Sequence, residues 1–383
     1  MNSCNGPPAR MVVIGIPGSR RVRAFIDAVR RLGPYSLQVV SYLDAIAGRA
    51  EPPCGSLVRI ESPSECADTA RAILQAGIAP LEAIGGIPLS RRQIDRIACQ
   101  RGEILPLRQW FLGFREILLG WQASWEPRAI DWMSRPSAIA TAFDKLECLD
   151  RWSAAALPVP RRWGGIASYA ELRRQVGERH ARVFVKPRYG YSAVGAVAIE
   201  WRGPLVRAIT TVEAVDASVG RRLFLSKRCR VLTGELEIAR LIDTLSAEET
   251  LVEQWLSKAR SNGTPFDVRV VVVGGRAKHV VGRANASPFT NLNLGASRLP
   301  RKAVAERLGP AWHKMLLLSE QAAAEIPAAG ALGVDVIVRP DRRSFVLLEA
   351  NAFGDYLPGL LHAGQSTYGA ELREARRFTD ALI

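Results

Sequence analysis

Two acidic side chains and an amide near the end of the chain could together bind a metal ion. They belong to the stretch GVDVIVRPDRRSFVLLEAN, whose turn-forming residues centre near Arg342. An antiparallel hairpin about that turn would place Asp335 opposite Glu349, and Asn351 would point to the same face two residues later. Two carboxylates on an apolar sheet need a neutralising partner, and oxygen ligands without Cys or His favour Mg²⁺ or Mn²⁺. The alternative is that arginines neutralise both carboxylates.

Basic residues on two predicted strands could bind phosphate. Lys186 ends the apolar run VFVK and is followed by PRYGYSAVG, a glycine-containing loop whose backbone N–H groups could fold over an anion. This loop lacks the Lys-Ser/Thr pair of a P-loop. In FDVRVVVV, Asp267 and Arg269 point to one face of a strand, and an arginine on so apolar a strand needs a phosphate or carboxylate partner. Together with the acidic hairpin, these residues predict a site for ATP and magnesium.

The composition narrows the class of protein. With 383 residues, of which 48% are hydrophobic, the chain can build more than one core. Its six cysteines form no C-x-x-C pair and its four histidines do not accompany them, so neither a structural zinc site nor a disulfide framework is expected. No apolar run is long enough for a signal sequence or a membrane span, which favours a cytoplasmic protein.

The formal charge of +15 would also suit a protein that binds nucleic acid. However, the positive residues are mostly arginines spread along the chain in pairs, and they form no basic run interleaved with aromatic residues. This distribution favours a solvated arginine-rich surface with one anion site over a surface dedicated to nucleic acid.

The first part of the chain alternates between strand and helix patterns. MVVIGI is followed by a turn in which Ser19 is a candidate N-cap, and then by a helix that ends at Gly33. The later stretches SLQVVSY, SLVRI and SECADTARAILQAG continue the alternation, which predicts a parallel sheet flanked by helices. The first turn lacks G-x-G-x-x-G, so dinucleotide binding is not expected. Residues 101–133 hold four of the nine tryptophans and predict an amphipathic helix with packed aromatic residues.

The character of the sequence changes after Pro136. IATAFDKLECLDRWSAAALPVPRRWG predicts a long helical stretch closed by a Pro-x-Pro strand opener, and two β-rich regions follow, the second with a helix around residues 303–326. We therefore expect three segments, formed by residues 1–135, 136–256 and 257–383.

Six stretches occur in a characteristic order: DKLECLDRWSAAALPVP, VFVKPRYGYSAVG, LVEQWL, FDVRVVVVGG, GVDVIV and VLLEAN. In this order they resemble the ATP-grasp superfamily, in its branch of enzymes similar to ribosomal-protein-S6 glutamate ligase and glutathione synthetase. The resemblance covers about residues 136–360. It implies a mixed α/β and α+β fold, in which an N-terminal parallel α/β domain precedes a two-lobed ATP-grasp fold with the active site between its lobes.

The resemblance implies an ATP site with residues from both lobes. Lys145 and Lys186 would reach the phosphates, and residues 189–195 would form the loop that closes over them. A hinge between the lobes would bind the adenine, and Asp267 would hold the ribose. The implied cofactor-binding residues are Lys145, Lys186, Tyr189, Gly190, Ser192, Gly195, Glu253, Gln254, Leu256 and Asp267.

The resemblance also implies residues for catalysis, metal binding and substrate contact. Arg269 would face the transferred phosphate and act together with Lys186. Asp335, Glu349 and Asn351 match the magnesium ligands of the family, in agreement with the hairpin geometry. Candidates for substrate contact are Arg283, Asn291, Asn293 and Arg115.

Enzymes of this type phosphorylate a carboxylate with ATP and let an amine attack the acyl phosphate. The resemblance therefore implies an ATP- and Mg²⁺-dependent ligase that acts on a carboxylate and on an amine or thiol, as small molecules or as part of a peptide or protein acceptor. Two alternatives stay open: a small-molecule kinase on the same scaffold, and a non-catalytic basic module that binds nucleic acid or a partner protein. A ligase releases ADP and phosphate, whereas a kinase leaves the phosphate on its acceptor.

Overall fold

Four parallel strands form the first sheet of the protein. The computed structural model describes residues 10–33, 35–63, 66–97, 99, 102–177, 180–190, 193–216, 221–353 and 357–380. The elements of the first region are β1 (Arg10–Gly15), α1 (Arg20–Leu32), β2 (Ser36–Ser41), α2 (Tyr42–Ile46), β3 (Leu57–Ile60), α3 (Ala67–Ala76), α4 (Ile78–Ala83), α5 (Arg91–Arg96), α6 (Leu107–Trp125) and β4 (Asp131–Trp132). The strand order is β2-β1-β3-β4, so the predicted parallel sheet is confirmed. As predicted, the Ser19 hydroxyl caps α1 by accepting a hydrogen bond from the N–H of Val22.

The second sheet contains six antiparallel strands in the order β5-β10-β6-β7-β8-β9. Its strand β6 carries the apolar run that ends in Lys186 and leads into the glycine-containing loop. The elements of this region are α7 (Pro136–Phe143), α8 (Lys145–Ala154), β5 (Arg162–Trp163), α9 (Tyr169–Val176), β6 (His180–Pro187), β7 (Val197–Arg202), β8 (Leu205–Asp216), β9 (Arg221–Leu232), α10 (Glu235–Ser246) and β10 (Thr250–Gln254).

The third sheet is also antiparallel and has the order β14-β13-β12-β15-β16, with the short strand β11 paired to β12. Strand β12 carries the FDVRVVVV stretch, and β15 and β16 form the acidic hairpin. The elements are β11 (Arg260–Ser261), β12 (Thr264–Val273), β13 (Arg276–Ala284), β14 (Ser297–Leu299), α11 (Arg301–Leu308), α12 (Ala311–Ala324), β15 (Ala331–Val338), β16 (Phe345–Asn351) and α13 (Thr367–Asp380).

The helical stretch predicted after Pro136 is helical but divided in two. The chain forms two helices, α7 and α8, that meet at Asp144, whose extended backbone interrupts the helical conformation. The Asp144 carboxylate then accepts hydrogen bonds from the N–H groups of Leu146 and Glu147 and so begins the second helix. In the same way, the predicted helix around 303–326 is divided into α11 and α12, which are separated by a glycine and a proline.

Helix α13, which the sequence patterns did not predict, packs against the first sheet. The Tyr368 ring meets the Phe25 ring of α1 edge to face at 5.7 Å between centroids. Arg59 of β3 forms an ion pair with Glu371 and lies over both rings. Helix α13 therefore packs on the first region and not on the third sheet alone.

Close contact between α3 and α6 depends on Gly113, and this gives a test of the packing. A Cβ atom at this position would lie 1.9 Å from the carbonyl oxygen of Ile73 and 2.6 Å from the N atom of Gly77. We expect Gly113→Ala to lower the free energy of unfolding by about 1–3 kcal/mol, because backbone atoms cannot give way as side chains do. Urea denaturation measures the change.

The control is Gly120→Ala on the same helix, where a Cβ atom meets open space and alanine is expected to stabilise the helix by up to about 1 kcal/mol. Equal effects of both variants would contradict the packing.

Candidate active site

The acidic hairpin has the predicted register. Asp335 of β15 pairs with Glu349 of β16, and Gly333 pairs with Asn351. The Asn351 amide donates a hydrogen bond to the carbonyl of Gly333 at 3.2 Å. The Asp335 side chain is buried, whereas the Glu349 side chain is 25% exposed. The two carboxylates therefore lie side by side, and one of them opens toward solvent.

Arginines neutralise Asp335. Arg269 of β12 donates two hydrogen bonds to the two oxygens of Asp335, at 2.6 and 2.7 Å, and Arg283 of β13 lies 3.0 Å from one of them. Arg269 is also 3.7 Å from Glu349. For Asp335, the predicted alternative of arginine partners is thus what the structure shows. Glu349 has a longer contact, to the Arg269 guanidinium.

Asp267 is likewise surrounded by side chains. One of its oxygens accepts a hydrogen bond from Arg283 at 2.8 Å, and the other contacts the Lys258 ammonium at 3.0 Å and the Thr290 hydroxyl. The sequence patterns did not single out Lys258 or Thr290, because neither belongs to a strand or to a recognisable motif. The implied role of Asp267 in holding a ribose stays a proposal, since both of its oxygens already have protein partners.

On the second sheet, Lys186 forms a buried ion pair with Glu253. The Lys186 ammonium lies 2.7 Å from one oxygen of Glu253, whose side chain is 2% exposed. The second oxygen of Glu253 is buried and accepts no hydrogen bond from the described residues. A buried carboxylate oxygen without a partner is costly, and a ligand with an N–H group would satisfy it. The predicted hinge residue Gln254 is exposed, and Leu256 is partly buried.

Aromatic side chains lie next to this hinge. The Trp255 ring is 5.5 Å from the Phe184 ring, and Phe184 is 5.8 Å from Phe289, which follows β13. The guanidinium of Arg182 lies over Trp255 at 3.9 Å. The hinge therefore presents flat apolar surfaces beside the unpartnered oxygen of Glu253.

The glycine-containing loop contacts the other lysine. Lys145 is the first residue of α8, and its ammonium donates a hydrogen bond to the carbonyl of Gly190. The Tyr189 ring stacks on Phe111 of α6 with 4.2 Å between centroids. Gly190 and Gly195 have positive φ angles of 155° and 72°, which explains the need for glycine at both positions. Ser192, the remaining predicted loop residue, lies outside the described residues.

Charged side chains from the regions of the second and third sheets interact. Burial lowers the pKa of Lys145, and the charge of Lys186 lowers it further, whereas Glu349 opposes this shift. Burial and the neighbouring Asp335 raise the pKa of Glu349, although Lys145, Lys186 and Arg269 act in the opposite direction. Two lysines from one side and the acidic hairpin from the other thus share one electrostatic environment.

The donor set at the hairpin fits a hard divalent cation. It consists of the carboxylates of Asp335 and Glu349 and the amide of Asn351, all oxygen donors of the kind that Mg²⁺ prefers. A carboxylate has about four acceptor positions, so Asp335 can keep its arginine contacts and still bind a metal. Burial and the neighbouring charge of Asp335 raise the pKa of Glu349, and a bound cation would stabilise its charged form. Within the described part of the chain, no three His, Cys, Asp or Glu side chains form a metal-binding group.

The predicted substrate-contact residues lie on β13, on α6 and at a short turn that follows β13, and their role in substrate contact stays a prediction. Arg283 is buried between Asp267 and Asp335 and belongs to the charged cluster. Asn291 caps a short 3₁₀ turn, Leu292–Leu294, on which Asn293 is exposed. Arg115 is exposed on α6.

No helix among the described residues is long and apolar enough to cross a membrane.

No protein-family model and no curated protein matches the sequence. Solved structures do match. They include an ATP-grasp ligase, PsnB, complexed with precursor peptide PsnA2 and AMPPNP, which is 16% identical over 98% of this chain and 100% of that chain, with a TM-score of 0.51.

Two other ligases match over a similar extent. The ADP complex of N5-carboxyaminoimidazole ribonucleotide synthetase is 13% identical over 96% of this chain and 77% of that chain, with a TM-score of 0.53. D-Alanine–D-alanine ligase from Bacillus anthracis is 12% identical over 98% of both chains, with a TM-score of 0.50. At such low identity the likeness concerns the fold, and it extends over nearly the whole chain. The protein has the fold of the ATP-grasp ligases.

Proposed function

We propose that the protein is an ATP- and Mg²⁺-dependent ligase that joins a carboxylate to an amine or thiol. The observation that carries this proposal is the set of positive charges that act on Glu349: Arg269 lies 3.7 Å away, and Lys145 and Lys186 lower its pKa. Phosphoryl transfer from ATP depends on positioning and on charge neutralisation. Positive side chains beside the carboxylates of Glu349 and Asp335 could supply both. The shared fold supports the proposal, since its solved examples include complexes with AMPPNP and with Mg and ADP.

The second sheet and the elements near it would bind different parts of the nucleotide. Lys145 and Lys186 would bind phosphate oxygens, for which Lys186 would have to turn away from Glu253. The unpartnered oxygen of Glu253 would accept a hydrogen bond from the amino group of the base, which would lie against Phe184 and Trp255. Such an arrangement favours adenine over guanine, because guanine presents a carbonyl where adenine presents its amino group.

Asp335, Glu349 and Asn351 would hold Mg²⁺, which when bound neutralises phosphate charge. A carboxylate oxygen of the substrate would attack the γ-phosphorus, the bond to the β,γ-bridging oxygen would break, and ADP would leave. Arg269 lies beside Glu349 and would stabilise the charge on the transferred group. The amine or thiol would then attack the acyl carbon, lose its proton and release phosphate. The two substrates are small molecules or parts of a peptide.

A thermal melt tests nucleotide binding directly. We expect ATP together with Mg²⁺ to raise the melting temperature more than either alone, because a ligand that binds only the folded state at 100 times its dissociation constant adds about 2.7 kcal/mol of stability. Release of ADP with mixtures of carboxylates and amines then tests ligation, and analysis of the product separates a ligase from a kinase. Protein that melts cooperatively but shows no shift with ATP and Mg²⁺ would contradict the proposal.

A further inference from the structure

Arg188 stands two residues after Lys186 but does not point toward the acidic hairpin. Its guanidinium donates two parallel hydrogen bonds to Asp144, from Nε to Oδ1 at 2.8 Å and from Nη2 to Oδ2 at 2.6 Å. Its third nitrogen lies 3.2 Å from Glu249. The Asp144 side chain is 6% exposed and that of Arg188 is 29% exposed. A two-point contact of this kind fixes orientation as well as distance.

Asp144 is held firmly on its other side. The Oδ1 atom that Arg188 binds also accepts the hydrogen bonds from Leu146 and Glu147 that begin α8. Lys145 is the first residue of this helix, so its backbone position follows from the cap. The ion pair therefore connects the start of the glycine-containing loop to the residue before Lys145.

Backbone contacts continue the connection. The N–H of Lys145 donates to the carbonyl of Arg188 at 3.3 Å, and Asp144 and Tyr189 form an antiparallel bridge. The Tyr189 hydroxyl donates to Glu249 at 3.1 Å, the same carboxylate that lies near Arg188 and 2.8 Å from Arg108 of α6. These backbone contacts can form only while residues 144–145 and residues 188–189 stay aligned. The Arg188–Asp144 pair is the charged contact that aligns them.

We propose that Arg188 is a positioning residue which, through Asp144, holds Lys145 in alignment with the start of the glycine-containing loop (residues 188–190), so that Lys145 and Lys186 contact the same nucleotide. This inference rests on the proposed function, because it assigns the arrangement a role only if a nucleotide binds there. The effect of Arg188 is indirect: it binds neither the phosphates nor the metal, and it sets the distance between the groups that do.

The test is calorimetric titration of ATP with Mg²⁺ into the full-length protein and its variants. We expect Arg188→Gln to raise the dissociation constant about 10-fold to 100-fold, as for the loss of a charged hydrogen-bonded pair, in protein that still melts cooperatively. Arg188→Lys keeps the charge but not the two-point contact and should recover only part of the affinity. The matched control is Arg151→Gln, which removes an exposed ion pair with Glu147 on α8 and should leave the dissociation constant unchanged.

Asp144→Asn separates alignment from helix capping. Asparagine keeps an oxygen for the N–H groups of α8 but removes the charge that Arg188 binds. If the two residues act through each other, Arg188→Gln should add little to the effect of Asp144→Asn on nucleotide affinity. If the effects of the two substitutions on affinity add fully, or if the Arg188→Gln protein binds the nucleotide as tightly as wild type, the positioning role of Arg188 is overturned and the proposed function is not. Wild-type protein that binds no nucleotide would overturn the proposed function and this inference with it.

Discussion

Replacing Lys186 with methionine is expected to lower kcat/KM for ATP by about 100-fold or more, measured as ADP release. The side chain is 11% exposed and lies in the same electrostatic environment as Lys145 and Glu349, so its positive charge acts in a site from which most water is excluded. A single preorganised group of this kind commonly contributes about 10²–10³-fold to a rate. Binding of nucleotide should weaken in parallel.

Loss of Lys186 also leaves Glu253 buried without its cation, which could lower activity through stability alone. The double variant Lys186→Met, Glu253→Gln removes that charge and should restore much of the thermal stability without restoring turnover. Lys302→Met is the control for removing a lysine, because this side chain is 89% exposed on α11 and its nearest carboxylate is 3.9 Å away. Turnover within threefold of wild type in the Lys186 variant would contradict the assigned role.

Asp335→Ala is expected to lower the free energy of unfolding by about 3–5 kcal/mol, the usual cost of leaving a buried charge without its partner. Asp335 is 2% exposed, and its removal would deprive Arg269 of two short hydrogen bonds and Arg283 of one ion-pair contact. Urea denaturation at neutral pH measures the change. Glu306→Ala serves as the control, since it removes an exposed helix pair worth less than about 1 kcal/mol. A loss as small as that of the control would show that the arginines find other partners.

The cost of Asp335→Ala should depend on pH in a defined direction. Burial by itself raises the pKa of Asp335, but the charges of Arg269 and Arg283 together hold it well below its usual value. A carboxylate with a lowered folded-state pKa stabilises the fold above its unfolded-state pKa, near 3.9, and loses this contribution as the pH falls toward the folded-state value. The difference in free energy of unfolding between wild type and variant should therefore be largest at neutral pH and should narrow below about pH 4. A difference that is constant from pH 7 to pH 3 would contradict this origin.

Local patterns in the sequence determined much of the fold and part of the site. The alternation of strands and helices predicted the parallel first sheet, and the turn centred on Arg342 predicted the pairing of Asp335 with Glu349. Both predictions succeed because strand direction, turn position and the two-residue alternation of side chains depend on residues that are near in sequence. The same alternation placed Asp267 and Arg269 on one face of β12.

The tertiary structure alone decided which charges meet. Arg269 and Arg283 share Asp335, Lys258 pairs with Asp267, and Arg188 binds Asp144 at 44 residues' separation. An arginine-rich chain offers many partners for each carboxylate, and only the packing of sheets selects among them. For the same reason the break between α7 and α8 escaped prediction: the apolar pattern continues through Asp144, while its cap contacts and its arginine partner depend on three-dimensional position. Local sequence therefore determines which strands carry the charged residues, whereas the tertiary structure determines the pairs that they form, because an ion pair requires proximity in space and not in sequence.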